Sequence, residues 1–249
     1  LLDCRVMIFD SFTRFRNRNR EPVFEDVPLT FGNLDKNALE AGVELKETVA
    51  GKVVVISAGN EELQDTIKEA LAGGADEACI VADDKLEGIE SAASAQVLAA
   101  LIQRIENVGL ILFGEGSGDN YSGQVGSRVA EILGLPQICY ACKVEVTGKT
   151  ARITRALEDC EELLEVELPV VVTVVASINE PRIPSVIQIL KAAKKPKEIL
   201  ELDELNLTGN KEILTKSNLS PVMERKLLET KTVEELVNAL EAEGLIGRC

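Results

Sequence analysis

Five short runs dense in Val, Ile and Leu recur through the first two hundred residues, and no other feature limits the possible folds as much. They are CRVMIF (4–9), KVVVISA (52–58), ACIVA (78–82), VGLILF (108–113) and VVVTVVA (170–176). Nearly unbroken apolar runs of this length are what strands buried on both faces of a parallel sheet look like. The segments between them carry helical periodicity instead: 35–47, 60–72, 90–104 and 122–133. A strand that must be covered on both faces, alternating with helices able to cover it, predicts an α/β fold of three layers with a largely parallel sheet.

Two regions break the rhythm. In VEVTGKTARITRAL a Gly-centred turn joins alternating runs, so 138–168 reads as a hairpin added beside the parallel part. After Pro196 the chain turns polar, with helix-like stretches near 221–229 and 233–243 and breaks at Gly209, Pro221 and Gly244. So little apolar content makes a poor core. The expected organisation is an α/β domain over 1–200 and a C-terminal extension over 201–249, lying across that domain or across another subunit.

Composition narrows the chemistry. The chain has no His, which removes the usual general base, zinc imidazole and neutral-pH switch together. A formal net charge of -15 argues against nucleic acid as a partner, since phosphate backbones need compensating cations. Cys139 and Cys142 form a lone CxxC with no second pair, and on a strand residues three apart face opposite sides. No metal site is expected, and the cysteines read as reduced thiols of a cytoplasmic protein. The run ELPVVVTVVASI is too short to span a membrane, and LLDCRVMIFD lacks the basic start of a signal peptide, so it reads as a first buried strand. Paired carboxylates such as Asp83/Asp84 and Glu161/Glu162 are ordinary surface in so acidic a chain. No poised base or nucleophile stands out, which predicts a protein that is not an enzyme by itself.

One loop invites a ligand. GEGSGDNYSGQVGSRVAEILGLP (114–136) joins the strand-like LILF to a good helix. Its glycines allow close backbone approach, Ser122 or Asn120 can cap the helix, and the amides of 122–126 would face outward at a helix N-terminus, where a phosphate fits. The loop is neither a P-loop nor a dinucleotide fingerprint. From spacing alone a phosphate seat and a plain strand–helix turn stand level, with Asp119 set against the first unless it reaches a ribose hydroxyl.

That same stretch resembles the nucleotide-binding loop of electron transfer flavoprotein beta subunits, in which a Gly–acidic–TGQVG pattern is followed by AELLGLP. VVTVVASINEPRIPSVIQILKAAKKP is similar to that family's lysine-rich partner-recognition segment, VVT…NEPRY…IMKAKKK. ALEAGVELKE (38–47), LAGGADEACIV (71–81) and LPVVVTV (168–174) agree in order, so the resemblance covers residues 30 to 200. It implies an adenine nucleotide alpha hydrolase-like domain paired with an alpha subunit, and a C-terminal arm, 201–249, packing on that partner. It implies one FAD, shared with and mainly held by the alpha subunit, and an AMP in the beta subunit, replaced by a second FAD in electron-bifurcating members. Electrons would arrive from a flavin dehydrogenase and leave to a quinone oxidoreductase or, in bifurcating systems, to ferredoxin. A non-redox adenine-nucleotide-binding regulatory domain of the same fold is the rival expectation.

Carried over by position, the resemblance places the nucleotide on Gly114, Ser117, Asp119, Ser122, Gly123, Gln124, Val125 and Gly126. A second segment, Asn-Pro-Tyr/Phe-Asp in the family, reads Gly32, Asn33, Leu34 and Asp35 here. Asp35 is retained, and Leu34 stands where an aromatic lies near the alpha-subunit flavin. In place of the family's KQVPDT this chain has DSFTRFRNRNREP, whose Arg14, Arg16, Arg18 and Arg20 would share one side of an extended segment. Docking falls to Arg182, Val186, Lys191, Lys194 and Lys195, in a stretch where Ile183, Val186, Ile187 and Leu190 keep helical spacing. Val186 replaces a Leu that anchors the family's segment, which implies a different partner pocket.

Overall fold

The computed structural model describes residues 2–3, 31–49, 51–86, 89–117, 121–205, 207 and 229–246. The chain divides into two compact units. In the first, strands β1 (Leu2–Asp3), β2 (Val54–Gly59), β3 (Glu77–Ala82), β4 (Leu110–Gly114), β5 (Gln137–Thr147), β6 (Thr150–Ala156), β7 (Glu161–Glu167), β8 (Val170–Val174) and β9 (Lys197–Leu200) form one sheet. Its order is β7-β6-β5-β8-β4-β1-β2-β3-β9. Helices α1 (Asn33–Thr48), α2 (Leu63–Ala72), α3 (Ser91–Arg104), α4 (Val125–Leu133) and α5 (Val186–Ala192) accompany it. The second unit carries α6 (Val233–Ala242), a helix capped where Thr232 accepts a hydrogen bond from the Glu235 amide and with no buried residue of its own.

The apolar runs are buried on both faces because successive side chains of a strand point to opposite layers. Val55 of β2, Leu112 of β4 and Val172 of β8 pack with Leu39 and Val43 of α1 and Leu63, Ile67 and Leu71 of α2. Their neighbours Ile56, Ile111, Phe113 and Val171 pack with Leu98, Leu101 and Ile102 of α3 and Val129 of α4. This is the expected three-layer α/β arrangement. The strands β8, β4, β1, β2, β3 and β9 run parallel. The first strand expected at 4–9 lies outside the described residues; β1 pairs at Leu2 and Asp3 with β2.

The region read as a hairpin is a three-stranded meander. β5 leaves the parallel sheet, where Gln137 and Ile138 pair with β8, and turns antiparallel to β6 after a register shift at Tyr140, whose φ is +62°. β7 then pairs antiparallel with β6. Its sequence EELLEVE turns Leu164 and Val166 toward the core and Glu161, Leu163, Glu165 and Glu167 to water. That is the period-two signal of a half-buried edge strand, overlooked because its charge masks its apolar content.

The strand order fixes where a ligand crevice can form. From β1 the chain builds outward through β2 to β3, while β4 starts the other half on β1's opposite side. Such a reversal opens a crevice beyond the carboxyl ends of the strands. The loop that leaves β4 is 115–124.

Candidate functional site

At that end of the sheet, Phe113 and Gly114 of β4, Glu115, Gly116, Ser117, Ser122, Gly123 and Gln124 of the loop, Val125 and Gly126 of α4, and Asp35 of α1 line one pocket. Eight of the ten cofactor-site residues expected from the sequence therefore come together. Leu34 sits beside them rather than among the lining residues: a side chain on Gly114 would come within 2.7 Å of Leu34 Cβ, so the first turn of α1 rests directly on the end of β4. Asp119 lies outside the described residues. Asp35 is buried in that first turn, where the helix dipole favours a carboxylate.

Helix α4 starts at Val125, three residues later than expected, and its N-cap is Gln124, whose side chain makes no capping bond. Ser122 is therefore not the N-cap, and Asn120 lies outside the described residues. The first turn is instead positioned by packing. A Cβ on Gly126 would meet Thr173 Cγ2 at 2.9 Å and the Phe113 ring at 3.5 Å, so only glycine lets α4 begin so close to β8 and β4. Gln124 is oriented by Arg128, whose Nη2 donates to Gln124 Oε1 at 2.8 Å. That leaves the amide NH2 of Gln124 as its donating end.

Sequence reasoning missed three contributors. Glu115 lines the pocket, and its carboxylate accepts a 2.5 Å hydrogen bond from the Tyr121 hydroxyl. That bond, more than burial, pushes the Tyr121 phenol up to about 12, so it stays protonated and keeps the carboxylate engaged. Tyr121 itself has φ +49° and returns its amide to Ser117 O at 3.2 Å, folding the loop on itself. Arg128 brings a cation beside the first turn of α4; its four-residue spacing from Gln124 was the available signal.

The five docking residues divide. Arg182 is committed inside the chain: its Nε and Nη2 donate to the two Glu40 oxygens at 2.8 and 2.7 Å, and its Nη1 to Glu47 at 2.9 Å. Lys195 closes the end of α2 by donating to Leu71 O at 2.7 Å and Ala75 O at 2.5 Å. Val186, Lys191 and Lys194 are exposed. Val186 and Lys191 belong to α5, with Lys194 two residues past its end; a capping box of Ser185 and Gln188 starts that helix, which buries only Ala192. Around them Ile183, Ile187, Ile189 and Leu190 are exposed too, an apolar patch edged by the two lysines.

Among the described residues no group of three or more His, Cys, Asp or Glu is suited to a metal ion, and no helix is long and apolar enough to cross a membrane. Cys79 is buried, and burial followed by the charge of Glu198 pushes its thiol up to about 11, which keeps it protonated.

The profile of the electron transfer flavoprotein domain matches residues 23–205. The chain is 39% identical over 187 residues to the electron transfer flavoprotein subunit beta of Thermoanaerobacterium thermosaccharolyticum, covering 75% of this chain and 72% of that one. It is 35% identical over 221 residues to the subunit of the same name from Bacillus subtilis, covering 85% and 86%. It is also 35% identical over 185 residues to the caffeyl-CoA reductase-Etf complex subunit CarD of Acetobacterium woodii, covering 74% and 71%.

Proposed function

Because the chain belongs to the electron transfer flavoprotein beta subunit family, we propose that it pairs with an alpha subunit as an electron carrier and holds AMP in the pocket at the end of β4. The observation that carries this is the pocket itself, in which the open first turn of α4, the loop after β4 and Asp35 converge at the reversal point of the sheet. The residues fit a nucleotide. Gly126 draws the amides of the first turn of α4 down onto the sheet, where they can donate to phosphate. Ser117 and Ser122 add hydroxyls, and the Gln124 amide adds a donor. Among the described residues of the loop, the carboxylate of Glu115 is engaged by the Tyr121 hydroxyl.

In this reading the FAD is shared with the alpha subunit and mainly held by it, with Leu34 at the edge facing that flavin. The flavin supplies the redox chemistry, and this chain supplies binding, orientation and a docking surface. Electrons come from a flavin dehydrogenase; the relative named for a caffeyl-CoA reductase complex favours a flavoenzyme acting on CoA esters. They leave to a quinone oxidoreductase, or to ferredoxin if a second FAD replaces AMP. The C-terminal arm, including α6 with Val233, Leu236 and Val237 exposed at helical spacing, packs on the alpha subunit. The carrier works in the cytoplasm.

Mass spectrometry on the complex released from its own cells tests this reading. One FAD and one AMP per heterodimer is the expected result. Two FADs would move the reading to bifurcation, and no flavin-bearing partner would overturn it in favour of a nucleotide-binding regulator. The pocket has its own test. Gly123 has φ +60°, and Gly123→Asp puts bulk, strain and negative charge where the phosphate should sit. AMP should be lost on purification, and retention at the wild-type level would remove the site.

A further inference from the structure

We infer that Arg182 is a positioning residue that presents Ile183 as the leading apolar contact with the electron donor; this rests on the docking reading above. The stretch Pro181-Arg182-Ile183-Pro184 is stiff, because each proline fixes its own φ and holds the residue before it extended. On an extended segment neighbouring side chains point to opposite sides. Arg182 points inward to the Glu40 carboxylate, which is on a residue only 5% exposed, and Ile183 points outward at 93% exposure.

The segment is held at a second point. Asn37 Nδ2 donates to Ala176 O at 3.2 Å and to Asn179 O at 2.9 Å, and Asn179 Nδ2 donates back to Asn37 O at 3.1 Å. Asn37 and Glu40 lie one turn apart on α1. The prong is thus fastened to a helix of the main domain through two independent contacts, while its own helix, α5, buries one residue. A rigid apolar tip loses little conformational entropy on binding, which is where interface energy is most easily gained. Ile183 adjoins the exposed Val186, Ile187 and Leu190, and Lys191 and Lys194 flank the patch, with no carboxylate anywhere from 181 to 197. The occupant this surface fits is a flavin dehydrogenase with an apolar socket rimmed by carboxylates.

The test uses the whole complex of this chain with its alpha subunit, and as donor a purified flavin-dependent acyl-CoA dehydrogenase reduced by its own substrate. Ile183→Ser alters a side chain that is almost wholly in water, so folding is not at issue. It should raise the KM of the donor for the carrier by roughly tenfold, with kcat kept and FAD content unchanged. Ile183→Leu should restore the wild-type KM. Arg182→Gln should raise KM likewise and speed hydrogen exchange across 179–192. Wild-type KM in Ile183→Ser, or in Arg182→Gln despite faster exchange, overturns the inference and leaves the carrier reading standing. No transfer from the donor to the wild-type complex overturns the donor reading, and this inference with it.

Discussion

Glu40 illustrates what a single side chain contributes and why its role cannot be read from its surroundings in the chain. Its largest influence is burial, which pushes the carboxyl up; the hydrogen bonds and charge of Arg182 outweigh that and hold it below 4.5. One turn on, Glu44 is pushed up by burial and then by the charge of Glu40. The ion pair's contribution to stability is complete above 4.5, the ordinary value that the unfolded chain restores. It is lost as the pH falls through the lower value in the fold. Glu40→Gln should therefore cost about 2 kcal/mol near neutrality, and the gap to wild type should close in acid, as urea unfolding at several pH values would show. A gap that stayed constant down to low pH would mean that the ion pair contributes nothing. Arg182 was legible as a docking residue only from its local sequence, since its partner lies 142 positions away. The internal bonds of Lys195 were illegible for the same reason: a lysine in a basic run gives no sign that it also donates to the end of another helix.

Whole elements were legible where their signal is local. α1, α2 and α3 begin and end within three residues of their apolar periodicity. α4 starts late because Ser122 is a good cap residue by type, whereas the chain stays non-helical to Gln124 and lets Gly126 set the start against the sheet. Contact across layers, not propensity, decides that boundary. Gly126→Ala should accordingly push α4 off Thr173, lower stability by about 1–3 kcal/mol, and weaken nucleotide retention in the same variant. Denaturant unfolding together with AMP content checks both. A stable variant that kept its AMP would show that α4 can shift freely. The pocket residues on the loop were legible as glycines and hydroxyls in a strand-to-helix turn. Glu115 and Tyr121 were not, because their bond depends on how the loop folds back.

At the scale of the molecule, charge and topology act together. The α/β rhythm predicted the layers, but strand order depends on pairing between distant segments, so the reversal point that locates the pocket was not readable in advance. A net charge of -15 makes the exposed Lys191 and Lys194 a local exception on an acidic surface. Reversing both to Glu while leaving Lys195 on α2 should slow electron delivery roughly tenfold at low ionic strength, with flavin content intact. The difference should narrow as salt screens the approach. Stopped-flow rates across a salt series measure this, and equal rates at low salt would remove the lysines from the docking surface. Finally, α1 touches the pocket at Asp35 and the fastened segment at Asn37 and Glu40, so it acts as a ruler with a phase. Five residues of helix set about 7.5 Å between those marks, and one inserted residue would rotate everything beyond it by about 100°. Side chains along that span can be exchanged, but its residue count cannot change without turning the prong away from its mark.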